Sequence, residues 1–299
     1  MLMFSAFAGN CGVPRSPDVI QLASQFQLNF FPAATVLAQQ VASLNSTGNK
    51  GGKVVGGQDV IDPTGGLLCW QVAIQLKGLP GLVRCGGSII GSRTILTAGH
   101  CVMSNRGSSI RSADSSVVVV GALDSSFSGG ISDHGAAGCG RSYRVAQVIQ
   151  HPDFHKILLN NDVALLILEE DIDLSARCSC AICLTGKIPN TGEWNPVPLK
   201  FIYQQILQNF VSPKCRYANG VNGDNFLCAG GVIGTDNCYG DSGGPLVCYD
   251  SRQASYYQSG IVSFGPGACG DGQGSRYTKV EKYLQWIVAS ANGDVSILE

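Results

Sequence analysis

Charge is what this chain has least of. Only 14% of its 299 residues are Asp, Glu, Lys or Arg, and together they leave a net charge of -1. A balance so near neutral gives no electrostatic reason to bind nucleic acid or an acidic membrane surface, so neither is expected as a partner. No run of eighteen apolar residues occurs, which excludes an ordinary membrane-spanning helix. Histidine is scarce, with four in the chain. The one close cysteine group, Cys178-Ser179-Cys180 with Cys183, has no second cluster containing histidine to complete a zinc site. No metal and no cofactor is therefore expected. The first eight residues lack a basic start, although Ala6-x-Ala8 suits signal peptidase; they read either as a truncated signal remnant, with the mature chain starting near Gly9, or as an ordinary apolar N-terminus.

What the chain has instead is apolar residues at 44%, 39 glycines and short Val/Ile/Leu runs between turn residues, the pattern of an all-β protein. Thirteen cysteines without metal-type spacing imply an oxidising compartment, hence secretion. The stretch Asp236-Asn237-Cys238-Tyr239-Gly240-Asp241-Ser242-Gly243-Gly244-Pro245 stands apart. Its glycines allow a sharp turn that would aim the amides of Gly240 and Ser242 at one point, where an oxyanion would form. A serine in that setting reads as an activated nucleophile, provided a base and an orienting acid exist elsewhere. Ile95-Leu96-Thr97-Ala98-Gly99-His100-Cys101 offers the base, and Asn160-Asn161-Asp162-Val163-Ala164 offers the acid.

With these three motifs in the order His100, Asp162, Ser242, the chain resembles the trypsin/chymotrypsin-type serine proteases over about residues 54 to 291. The resemblance implies two antiparallel β-barrels, a C-terminal helix and a catalytic cleft between the barrels. Residues 1–53 would hold the signal remnant and an activation pro-segment, and residues 54–299 the catalytic domain. Lys53-Val54-Val55-Gly56-Gly57 resembles the family's activation site. Cutting after Lys53 would free the Val54 amine to pair with Asp241 and so order the oxyanion loop. The mechanism implied is acyl transfer by Ser242, with His100 as base and Asp162 orienting it. Ser263, Phe264 and Gly265 match the strand that binds substrate, and Ser263 is expected to reach Asp162.

Asp236, six residues before the serine, matches the pocket floor and implies cleavage after Arg or Lys. Counting back from Tyr277 puts Ser275 where the family usually has glycine, while a shift of one residue puts Gly274 there. Ser275 would narrow the pocket. Among cysteines, the resemblance pairs Cys85 with Cys101, Cys215 with Cys228 and Cys238 with Cys269. It also pairs Cys11 with Cys183, which would tether the pro-segment. That leaves Cys178 or Cys180 for Cys248. A Cys69–Cys139 pair is also expected, and because thirteen is odd at least one thiol is free or intermolecular. The segment between Cys183 and Cys215 is shorter than in the family, which unsettles the start of the second barrel and the partner of Cys248. Asp124 and Asp133 fall in a loop that binds calcium in some relatives, but the usual glutamates are missing. In the closing helix Val280, Leu284, Ile287 and Val288 share one face, a core stripe. The expected partners are protein or peptide substrates and protein inhibitors, with the chain a monomer. The competing expectation is a silent homologue that binds proteins without cutting them.

Overall fold

The computed structural model describes residues 11–13, 58–59, 68–77, 82–103, 110, 113, 116–121, 140–187, 194–197, 200–207, 212–250, 252–265 and 267–298. Lys53, Val54, Asp124, Asp133 and Cys139 lie outside these residues.

The first half is a closed barrel. Its strands are β2 (Gln71–Lys77), β3 (Leu82–Ile89), β4 (Thr94–Thr97), β5 (Ser116–Val120), β6 (Arg141–Gln150) and β7 (Ala164–Leu168), preceded in the chain by the short β1 (Gln58–Asp59). Around the barrel they run β2-β3-β4-β7-β6-β5, every pairing antiparallel. The sequence dictates closure through alternation. Val72, Ile74 and Leu76 of β2 are buried at period two, and in β7 Leu166 and Leu168 are buried at the same spacing, with Leu165 buried on the strand's other face. A closed ring leaves no strand edge open to another chain.

The second half is built from β8 (Cys183–Leu184), β9 (Trp194–Val197), β10 (Lys200–Leu207), β11 (Phe226–Gly230), β12 (Pro245–Asp250), β13 (Ser255–Phe264) and β14 (Gly274–Lys279). The sheet order is β1-β10-β11-β14-β13-β12, with β9 against β10 and β8 parallel to β13. The segment read as abbreviated still folds into strands: Trp194 in β9 pairs with Gln205 in β10. Ile206, Leu227, Ala229, Leu246, Val262 and Tyr277 form the core of this half. The helix α1 (Val280–Ser290) closes the chain. Its buried residues are Val280, Tyr283 and Ile287, with Leu284 packed beside them and Val288 half-buried. Tyr283 thus belongs to the core stripe, which apolar spacing alone did not mark.

The disulfides correct part of the expected pairing. Cys11–Cys183, Cys85–Cys101, Cys215–Cys228 and Cys238–Cys269 are joined as expected. Cys69, however, bonds Cys180 and not Cys139. The main chain brings the two together, because Cys180 N donates to Cys69 O at 3.1 Å. Cys178 is also disulfide-bonded. Cys248 pairs with neither Cys178 nor Cys180: it is a buried thiol on β12 whose Sγ lies 3.1 Å from Ser259 Oγ.

Candidate active site

His100 rides on a single 3-10 turn, Gly99–Val102, that follows directly from β4. Two ties hold the turn. The Cys85–Cys101 bond fastens it to β3, and Gln150 Nε2 donates to Gly99 O at 2.8 Å. Asp162 stands just before β7 and is fully buried. Burying a carboxylate is costly unless its oxygens are satisfied, and here they are. Oδ1 accepts from His100 N at 2.7 Å, while Oδ2 accepts from His100 Nδ1 at 2.8 Å and from Ser263 Oγ at 2.5 Å.

Local irregularities shape the surroundings of Asp162. The β13–β14 register jumps between Val262 and Phe264, a bulge that takes Ser263 out of the ladder and turns it towards Asp162. Asn161 adopts a left-handed φ of 57°, a conformation asparagine tolerates, and its Oδ1 accepts from Tyr283 OH at 2.9 Å. Thr278 Oγ1 donates to Asp162 O at 2.9 Å. Tyr283 and Thr278 escaped the sequence reading, since nothing local ties them to a residue more than a hundred positions away.

The carboxylate fixes the state of the imidazole. Nδ1–H is spent on Asp162, which leaves the lone pair on Nε2. Burial lowers the His100 pKa, but the charge of Asp162 and its hydrogen bond together outweigh burial, and the net shift is upward from 6.5.

Ser242 approaches from the second half. Its carbonyl accepts from Gly86 N at 2.7 Å, which ties the serine turn to β3 of the barrel. Within the turn, Asp241 N donates to Cys238 O, Gly243 N to Val262 O and Gly244 N to Asp241 O. Among the described residues the N–H groups of Gly240 and Ser242 have no acceptor. The two amides named from the sequence are thus without an acceptor there, with Gly240 at φ 101°. Buried Asp241 accepts from Cys238 N at 2.7 Å through Oδ2. Among the described residues the His100 ring meets Asp162 through Nδ1 and Cys101 Sγ at 3.8 Å through Nε2, with no hydrogen bond to the Ser242 hydroxyl.

Asp236 is buried beside this turn. Its Oδ1 accepts from Ser275 Oγ at 2.8 Å and its Oδ2 from Gly270 N at 3.3 Å. Burial raises its pKa, opposed by these hydrogen bonds. The choice between Gly274 and Ser275 is decided by the pleat of β14. A Cβ on Gly274 would stand 2.5 Å from Cys228 Sγ, on the face away from Asp236. Next to Asp236, Asn237 accepts from Tyr277 OH at 3.0 Å. Buried Arg276, on the opposite face of β14, was not foreseen. Its guanidinium donates to Gly274 O and Arg216 O and lies over the rings of Tyr217 and Phe264.

A family model described as Trypsin matches residues 54–287. The chain belongs to the trypsin family of serine proteases. It is 34% identical over 241 residues to an ovochymase of Halocynthia roretzi, covering 75% of this chain and 14% of that protein. It is 32% identical over 263 residues to protein masquerade of Drosophila melanogaster, covering 81% of this chain and 23% of the other. A mouse tryptase is 31% identical over 258 residues, covering 78% of this chain and 87% of the tryptase. The chain thus spans between a seventh and a quarter of the first two relatives. Within the trypsin-family site, the one group of described residues spaced to ligate a metal is Cys85, His100 and Cys101. The sulfurs of Cys85 and Cys101 are bonded to each other, so they cannot serve as thiolate ligands. Among the described residues no helix is long and apolar enough to cross a membrane.

Proposed function

We propose that this chain is a secreted serine endopeptidase that cuts after Lys or Arg and is made as a zymogen opened after Lys53. The observation that carries the reading is the buried Asp162 carboxylate, one face of which holds His100 through both N and Nδ1. His100 takes the Ser242 proton at Nε2 as the oxygen attacks a peptide carbonyl. The Gly240 and Ser242 amides receive the oxyanion. His100 then gives the proton to the leaving amine, and water, deprotonated in its turn by His100, releases the acyl group. Asp236 at the pocket floor favours a cationic side chain before the scissile bond, because a buried carboxylate gains most from a matching cation. Ser263, Phe264 and Gly265 would run alongside the substrate backbone.

The docking of residues 11–13 supports a tethered pro-segment. Cys11 is bonded to Cys183, Gly12 N donates to Ala181 O, and Tyr256 N donates to Gly12 O, both at 2.8 Å. A cut after Lys53 would leave that head attached and free Val54 to reach Asp241. Five disulfides between described residues fit an oxidising, extracellular setting. Substrates and inhibitors would be proteins, met by a monomer.

The test is labelling with a fluorophosphonate before and after limited cleavage at Lys53, with the labelled peptide identified by mass spectrometry. Label on Ser242 that appears only after cleavage is expected, and Ser242→Ala should abolish it while turnover drops by roughly 10⁴ to 10⁶. Folded, cleaved protein that takes no label would instead be the silent binding homologue.

A further inference from the structure

We propose that Ser275 makes the Asp236 pocket selective for lysine over arginine. The inference rests on the reading of Asp236 as the pocket floor and refines it. Ser275 Oγ donates to Asp236 Oδ1 at 2.8 Å, so one carboxylate oxygen already carries a fixed donor. The other accepts Gly270 N at 3.3 Å. Ser275 Oγ also projects across the pocket: it lies 3.3 Å from the point where a Cβ on Gly265 would stand, so the hydroxymethyl group takes up room that Gly265 leaves open. Asp236 and Ser275 are both buried, and their neighbour Asn237 is pinned by Tyr277 OH, so the floor has little freedom to rearrange.

A guanidinium and an ammonium make different demands on such a floor. The guanidinium is a rigid planar fork that binds a carboxylate best through two parallel hydrogen bonds, using both oxygens from one side. Here that approach must share Oδ1 with the Ser275 hydroxyl and clear its Cβ and Oγ. An ammonium is compact and carries three rotatable donors. It can reach a carboxylate oxygen with one donor and the Ser275 oxygen with another, because a hydroxyl that donates to Asp236 still has lone pairs to offer. The serine therefore obstructs one cation and adds a ligand for the other. The bond at which activation is proposed, Lys53-Val54, presents the favoured side chain.

The test compares kcat/KM on two peptide substrates that differ only in Lys or Arg before the scissile bond. Enzyme cleaved after Lys53 is used, its active sites counted with the fluorophosphonate. The wild-type protein is expected to favour Lys by roughly tenfold, within the range that a small change in pocket fit produces. Ser275→Gly should bring the ratio to unity or reverse it, mainly by a gain on Arg. Ser275→Ala keeps the Cβ but loses the oxygen, so it should lose rate on Lys without the full gain on Arg; it also serves if the glycine variant folds poorly. A wild-type enzyme that cuts Arg as well as Lys, or a ratio that neither variant moves, overturns the role of Ser275 and leaves Asp236 in place. Labelled enzyme that cuts after Phe or Leu, and after neither cation, overturns the reading of the pocket itself.

Discussion

Replacing Gly243 by alanine should disable the serine turn without touching any residue that meets substrate. Gly243 has φ 80°, a left-handed conformation that costs an alanine about 1–2 kcal/mol. The added Cβ would also stand 2.2 Å from Thr97 Oγ1, 2.6 Å from Gly86 O and 3.2 Å from Ala98 N. Overpacking of that kind costs a further ~1–3 kcal/mol. Neither of the two nearer obstacles can step aside. Thr97 Oγ1 is held by its own bond to Gly86 O at 2.9 Å, and Gly86 N is the donor that holds Ser242 O. The turn must move instead, and the Gly86–Ser242 bond goes with it. Once the Ser242 amide is displaced, the oxyanion loses a donor, a loss of roughly 10² to 10³ in kcat. Thr97→Ala should not rescue the variant, because the Gly86 carbonyl, part of the main chain, remains in the way. The assay is kcat and KM on a lysyl peptide, read beside thermal unfolding, where each kcal/mol is worth about 2–4 °C. A Gly243→Ala enzyme with kcat within tenfold of wild type and an unchanged Tm would refute the reasoning.

Other consequences follow from the Asp162 cluster. His100 must be neutral to act as base, and its pKa is raised, so kcat/KM should fall as pH drops through a value above 6.5. In Asp162→Asn the charge is gone and burial dominates, so the acid limb should move below 6.5; a limb that stays put would refute the assigned cause. The same shift has a stability side. The imidazolium–carboxylate pair stabilises the fold fully below pH 6.5, and that contribution is lost as pH rises through the raised value, the very range in which activity appears. Ser263→Ala removes a donor from the buried carboxylate and should cost about 1.5–3 kcal/mol in a urea titration, since hydrogen bonds to charged groups are the strong ones.

The three residues proposed for catalysis were legible as candidates because each sits where a chain of strands must turn. His100 follows the apolar run of β4, Asp162 precedes that of β7, and Ser242 lies among the glycines ahead of β12. Short motifs at strand ends can be read without knowing how the strands pair. What could not be read depends on pairing. Cys69 and Cys180 are 111 residues apart, and only the placement of their two segments side by side joins them. Arg276 is the sharper case. A charged residue in a strand is ordinarily assigned to the solvent face. Here it is buried because Gly274 O and Arg216 O accept from it and two aromatic rings cover it. Its burial lowers its own pKa, so the acceptors that hold the charged form are a condition of the fold.

The same parity that buries Arg276 decides the pocket. Side chains alternate along a strand, so a slip of one residue exchanges the two faces completely. With Tyr277 bonded to Asn237, the residue two before it must share its face, and Ser275 accordingly reaches Asp236. Gly274 and Arg276 share the other face, against Cys228 and Tyr217. A register with Gly274 towards Asp236 would bring Arg276 with it, setting a cation of the chain's own beside the carboxylate that is proposed to await one from the substrate. The ladder of β11 and β14, pairing Cys228 with Arg276 and Ala229 with Ser275, forbids that slip and so keeps the Arg276 guanidinium off the face of Asp236.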